Sequence, residues 1–238
     1  MRTAYTVFRN LYNVRKMTMK LVLASGSQRR RELLTMCGYD YEIIVSNADE
    51  TIDENDPESF VCALSFRKAK EVFDRLFAAG RRDFAVIGSD TVVAFQKEGG
   101  TKPVIIGKPK DAEDAVRILS MLSGKTHRVF TGVSVIADIP DENADAQCSI
   151  RKKAEIQTEC SITEVTFETL SPDEITDYVN SGDPLDKAGS YGIQGPFGMF
   201  VREIRGNYFT VIGMPIPVLY KMLKKIGILP HGFYERIE

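Results

Sequence analysis

The chain has 238 residues, of which 43% are hydrophobic and 27% charged, with a formal net charge of -2. That length and balance suit a globular protein with a sizeable core and exclude general disorder. The near-neutral charge excludes bulk attraction to nucleic acid or acidic membranes, so each basic cluster has to be read on its own. Four cysteines, Cys37, Cys62, Cys148 and Cys160, form no CxxC pair, and only His127 and His231 accompany them. A zinc site or disulfide scaffold is therefore not expected. Cys37 and Cys62 fall on apolar helical faces and read as buried small hydrophobes. No apolar run reaches the roughly 18 residues of a membrane span.

Residues 1–20 carry Arg2, Arg9, Arg15, Lys16 and Lys20, no acidic residue, and interspersed aromatic and aliphatic side chains. Such a profile fits an organellar transit segment. It equally fits a dispensable extension, with Met17 or Met19 as the start of the folded chain.

From Lys20 onward short apolar runs alternate with amphipathic stretches, the pattern of an α/β protein. A strand over Lys20–Ser25 leads to a helix near Ser27–Cys37, stopped by Gly38. Arg29, Arg30 and Arg31 sit in the first turn of that helix, where the macrodipole makes a cation cost roughly 0.3–1 kcal/mol. An anion at this strand-to-helix turn resolves the conflict, because free N–H groups, the dipole and guanidinium forks all favour a phosphate. A solvated basic patch is the plainer alternative.

Tyr41–Val45 reads as the second strand. Asp56 and Pro57 open a long helix that ends at Gly80, with an apolar stripe of Phe60, Val61, Leu64, Val72, Phe73 and Leu76 and a polar face carrying Arg67, Lys68 and Lys70. Ala85–Gly88 reads as a short buried strand. Thr91–Phe95 and Val104–Ile106 then flank a turn at Gly99-Gly100 as a hairpin. Asp111 caps a helix through Leu122. Thr126–Ala137 and Thr158–Leu170 make two long β-branched strands, separated by a polar insertion over Asp138–Gln157 that reads as mobile. Ser171, Pro172 and Glu174 supply a capping box for the next helix. A Gly-rich segment from Asp183 to Phe197 surrounds Lys187, Tyr191 and Gln194, where the backbone can approach a ligand. Strands over Met199–Ile204 and Tyr208–Ile212 and a last helix from Pro215 finish the chain.

Asp90 directly follows the buried run ending at Ser89, which places it at the carboxyl end of a strand, where ligands gather in open α/β sheets. The alternative is a turn-capping aspartate. Asp49 and Glu50 are further candidate metal or acid-base carboxylates in a loop after a strand. Lys68, Lys108 and Lys187 add cations that, with Arg29 and Arg30, could surround a polyphosphate while oxygen-ligated Mg²⁺ on Glu50 and Asp90 neutralises the rest.

Seven segments carry a resemblance. Leu23 to Arg30, Asp49-Glu50-Thr51, Leu64 to Ala69, Gly88-Ser89-Asp90-Thr91, Gly107-Lys108-Pro109, Leu122 to His127 and Asp186 to Gly195 follow one another in the order found in the Maf (septum formation protein) family of nucleotide pyrophosphatases, which the chain strongly resembles. The likeness runs from about Leu21 to the last helix. It implies an elongated, two-lobed mixed sheet with flanking helices, a fold shared with inosine triphosphate pyrophosphatases. It further implies one domain over residues 20–238, after an extension over 1–19 and with an insertion near 138–157.

The resemblance also implies hydrolysis of a nucleoside triphosphate to the monophosphate and pyrophosphate with a divalent metal, Mg²⁺ first and Mn²⁺ or Co²⁺ as substitutes. Asp90 would be the general base or metal carboxylate and Glu50 a second metal-associated acid. Ser27, Arg29, Arg30, Lys68, Lys108 and Lys187 would contact the triphosphate, and Thr91 and Gln194 would help select the base. Gln194 in Gly-Ile-Gln-Gly matches the branch preferring dTTP and UTP, and an amide can offer donor and acceptor to a uracil edge. Gln28 replaces the usual proline before the paired arginines, freeing an N–H and loosening preorganisation. A homodimer in the cytoplasm, or in mitochondria if the basic N-terminus targets it, is the implied setting, with neither nucleic acid nor membrane as partner. A nucleotide-sensing regulator of cell division that acts through a partner protein is the competing reading.

Overall fold

In the computed structural model, residues 19–96, 99–100, 102–139 and 154–231 are described. The N-terminal extension up to residue 18, the centre of the insertion and Cys148 lie outside them. β1 (Lys20–Leu23) leads into α1 (Gln28–Met36), β2 (Tyr41–Ile43), α2 (Pro57–Ala78), β3 (Phe84–Phe95), β4 (Val104–Ile106) and α3 (Ala112–Leu122). Then come β5 (Thr126–Ala137), β6 (Glu155–Phe167), α4 (Pro172–Asn180), three single helical turns between Asp183 and Phe200, β7 (Val201–Arg205), α5 (Tyr208–Ile212) and α6 (Ile216–Lys225).

Among the described residues one mixed sheet of seven strands runs in the order β2-β1-β3-β5-β6-β7, with β4 also pairing with β3. β1 is parallel to β2 and β3, while β3 to β7 pair antiparallel. Alternation sends successive side chains to opposite faces. Val22, Val86 and Ile136 pack on Val72 and Phe73 of α2. On the other face Leu21, Ile87 and Val135 pack beneath α1 and α6, and further along Val93, Val129 and Phe167 meet α3 and α4. No helix among the described residues is long and apolar enough to cross a membrane.

Local chemistry explains the boundaries. The Asp56 carboxylate accepts from Ser59 N at 2.9 Å with Pro57 next, and Asp111 accepts from Asp114 N at 2.8 Å. Ser171 and Glu174 form both halves of the capping box. The hairpin around Gly99-Gly100 is present, with Val93 opposite Ile106 and Phe95 opposite Val104.

Several expectations need correction. The strand expected over Ala85–Gly88 and the one expected over Thr91–Phe95 are a single strand, β3, paired with β5 from Ala85 to Ala94. The polar run inside it survives burial because its hydroxyls are satisfied: Ser89 Oγ lies 3.0 Å from Gly132 O and 2.9 Å from Gly213 O, and Thr91 Oγ1 lies 3.0 Å from Thr131 Oγ1. Asp90 is thus mid-strand rather than at a strand end. Tyr208–Ile212 is a helix despite its β-type composition, since Asn207 Oδ1 accepts from Phe209 N and closes an N-cap. β6 begins at Glu155, inside the stretch assigned to the insertion, because each residue from Glu155 to Thr166 finds a partner on β5. Met199 lies in a helical turn, 72% exposed, ahead of β7. Cys37 and Cys62 are half-buried rather than buried, Cys37 being the C-cap of α1.

Candidate active site

Two short strands share one edge of β3. β1 pairs with it as far as Ile87 and β4 from Val93 onward, so among the described residues 88–92 have no ladder partner on that side. A cleft of about 1330 Å³ opens at this gap, and Asp90 is part of its wall. Ser27, Arg29, Arg30, Glu50, Lys68, Asp90, Thr91, Lys108, Lys187 and Gln194 all line it, whereas Asp49, the other carboxylate the sequence offered, does not.

Lys68 is the hinge of the acidic side. Its Nζ donates to Asp90 Oδ1 at 2.7 Å and lies 2.9 Å from Glu50 Oε1, with its side chain only 12% exposed. It is therefore not on a solvated helix face, as its position in the amphipathic pattern suggested. The approach depends on two glycines in the sheet. A Cβ on Gly88 would stand 2.1 Å from Ser65 O, and one on Gly132 would stand 2.3 Å from Val61 O. With no side chain at either position α2 lies directly on β3 and β5, and Gly132 is the residue opposite Asp90.

Glu50 comes from a loop that Arg67 clamps, one Nη1 donating at 2.8 Å to the carbonyls of both Asp49 and Thr51. Asp49 is absorbed by that loop, since its carboxylate accepts from Thr51 N and is held below the usual range by that bond. Glu50 and Asp90 offer an all-oxygen pair, and no group of three or more metal-ligating side chains occurs among the described residues. Such a pair fits Mg²⁺, which keeps water and phosphate oxygens in its shell. The ammonium already bridging both carboxylates marks the point as one that holds a cation.

Facing the acids is the start of α1. Ser27 is its N-cap residue without a side-chain cap bond, and its first turn holds no acid. The sequence argument for an anion there therefore stands on uncapped N–H groups as well as on charge. The three arginines divide the work. Arg31 turns back to Gly26 O at 3.2 Å. Arg30 is fixed by Gly213 O at 2.8 Å, Ser25 Oγ at 3.1 Å and Thr91 Oγ1 at 3.4 Å. Burial lowers its pKa and the nearby Asp90 charge opposes that, yet a guanidinium stays protonated. Arg29 lies 3.5 Å from Asp186 Oδ2.

Lys187 is less free than the sequence implied, because its Nζ meets Asp183 Oδ1 at 3.0 Å and Asp186 Oδ1 at 2.8 Å. Lys108 is exposed and without an ion pair among the described residues, and its loop is pinned by the bond from Gly189 N to Gly107 O at 3.0 Å. Gln194 is exposed on the rim. Sequence reasoning missed Asp183 and Asp186 as counter-ions, and Gly132 as the residue that admits α2. It also missed that His127 is buried against Tyr191, Nε2 to Oη 3.0 Å, with burial lowering its pKa to about 3.

The profile of the Maf-like protein family matches residues 20–226. The chain belongs to the Maf-like protein family. Among similar Maf relatives, the dTTP/UTP pyrophosphatase of Agathobacter rectalis is 40% identical over 217 residues, covering 88% of this chain and 98% of the relative. That of Bacillus thuringiensis subsp. konkukian is 42% identical over 210 residues, covering 88% and 96%. A solved structure, the Ham1 protein of Staphylococcus aureus, aligns with a TM-score of 0.43 and 16% identity over 87% of this Maf chain and 98% of that one.

Proposed function

We propose that this Maf-family chain hydrolyses nucleoside triphosphates, dTTP and UTP first, to the monophosphate and pyrophosphate. The observation that carries the reading is the single crevice in which Lys68 joins Asp90 to Glu50 opposite the uncapped, arginine-bearing start of α1. Relatives about 40% identical across most of the chain carry the name of that activity.

In this reading Arg29, Arg30, Lys108 and the first N–H groups of α1 bind the phosphates and stabilise charge that develops on the departing pyrophosphate. Donors of this kind are worth about 3–4 kcal/mol each where they have been removed singly. Asp90 accepts the proton of the water that attacks the α-phosphorus, and Lys68 holds both carboxylates in place. Glu50 and Asp90 would hold a divalent cation, magnesium first, that neutralises phosphate charge when bound. Gln194, exposed at the cleft, selects the base through its amide, and Thr91, on β3 in the same cleft, assists. Homodimer formation and residence in the cytoplasm belong to the same proposal through the family resemblance.

A panel of nucleoside triphosphates assayed for pyrophosphate tests the reading. dTTP and UTP should release pyrophosphate and the monophosphate in equal amounts, and a chain that released none from any nucleotide would overturn it.

A further inference from the structure

Asp186 occupies an unusual place among the cleft cations. Its two carboxylate oxygens face different partners, Oδ1 lying 2.8 Å from Lys187 Nζ and Oδ2 lying 3.5 Å from Arg29 Nη1. Partial burial works to raise the carboxyl pKa, but Lys187, Arg29 and Lys108 together hold it below the usual range. The carboxylate is 70% exposed and is not a packing element. It is an anion placed at the corner where three candidate phosphate-binding cations meet.

The order of charges along the crevice gives that corner a meaning. Asp90 and Glu50, joined by Lys68, lie at one end, and both act electrostatically on Arg30. Arg30 is followed by Arg29, which pairs with Asp186. If the α-phosphorus reacts beside Asp90, as the proposed function requires, the cations lead from it to Asp186, and the terminal phosphoryl groups extend that way.

We infer that Asp186 is an intramolecular stand-in for a phosphate: it competes with the terminal phosphoryl groups for Arg29 and Lys187 and so promotes departure of pyrophosphate. A corner of unopposed cations would hold a multiply charged product tightly, and a carboxylate that re-forms its own ion pairs offsets part of that attraction. The inference rests on the proposed reaction for its biological role, but the competition itself is a property of binding.

The test is calorimetric titration of the full chain with inorganic pyrophosphate, in buffer without divalent metal. Asp186→Asn should bind pyrophosphate roughly two- to fivefold more tightly, the scale of the one partly exposed Arg29 pair released to the ligand, with Lys187 loosened but still paired to Asp183. The gain should shrink as ionic strength rises. Asp186→Glu keeps the charge and should bind like the parent chain. Unchanged or weaker binding by Asp186→Asn, or a gain in Asp186→Glu equal to that of the amide, would overturn the inference. A chain that hydrolysed no nucleotide yet showed the gain in Asp186→Asn would contradict the proposed reaction alone.

Discussion

Replacing Gly132 by alanine should cost both stability and turnover, though the residue touches no substrate. The added Cβ would lie 2.3 Å from Val61 O, 2.5 Å from Val61 C and 2.9 Å from Cys62 N, all backbone atoms of α2 that cannot rotate away. Ordinary contact begins near 3.4 Å, so α2 has to recede by about 1 Å in an interior packed as densely as a crystal. Overpacking of this kind costs about 1–3 kcal/mol. The same shift would stretch the 2.7 Å bond from Lys68 Nζ to Asp90 Oδ1 beyond hydrogen-bonding range. A misplacement of about 1 Å in a reacting geometry can cost on the order of 10²-fold in rate. Urea unfolding and pyrophosphate release, measured on one preparation, read both effects. A Gly132→Ala chain with the parent's unfolding midpoint and rate would refute the claim that close helix–sheet contact aligns Lys68.

Asp90→Asn should abolish hydrolysis of dTTP and UTP while the chain still folds and unfolds cooperatively, at a lower urea midpoint because the largely buried Lys68 loses a charged partner; near-parental turnover would remove Asp90 from the proton transfer. Gln194→Ala should change the ratio of kcat/KM values between bases more than their sum, and a uniform fall for all nucleotides would deny it a part in base selection. His127 gives a pH prediction. Its folded-state pKa, about 3, lies below the ordinary 6.5, so its contribution is complete above pH 6.5 and is lost as pH falls toward 3. About 2 kcal/mol should be gone by pH 5. His127→Gln should flatten that part of the stability profile in chemical denaturation, and an unchanged slope would assign the acid sensitivity to other groups.

Much of the architecture was legible because its determinants are local. Asp56-Pro57, Asp111 and Ser171 to Glu174 cap their helices in ways set by neighbours three residues away. The strands over Thr126–Ala137 and Val104–Ile106 follow from their own composition and bounding turns. What was not legible depended on partners distant in sequence. Ser89, Asp90 and Thr91 interrupt an apolar pattern, and only the hydroxyl and carbonyl partners at Gly132, Thr131 and Gly213 explain why the strand continues through them. Tyr208–Ile212 has strand-like residues, and the cap from Asn207 turned it into a helix.

The candidate site divides in the same way. Arg29 and Arg30 could be read from their clash with a helix dipole, whereas Lys68 looked like any cation on a polar face until α2 was seated on Gly88 and Gly132. Lys187 reads as a ligand in its Gly-rich segment, yet it is committed to Asp183 and Asp186. Spacing along the chain cannot reveal such pairs, because each is made by the fold's own turns around the cleft.

Hydrolysis of dTTP in water enriched in ¹⁸O tests the central claim most directly, because it asks which phosphorus the crevice presents to the water activated by Asp90. The account predicts that the label appears in the monophosphate and that pyrophosphate is unlabelled. Label in pyrophosphate, or release of orthophosphate with a nucleoside diphosphate, would contradict it.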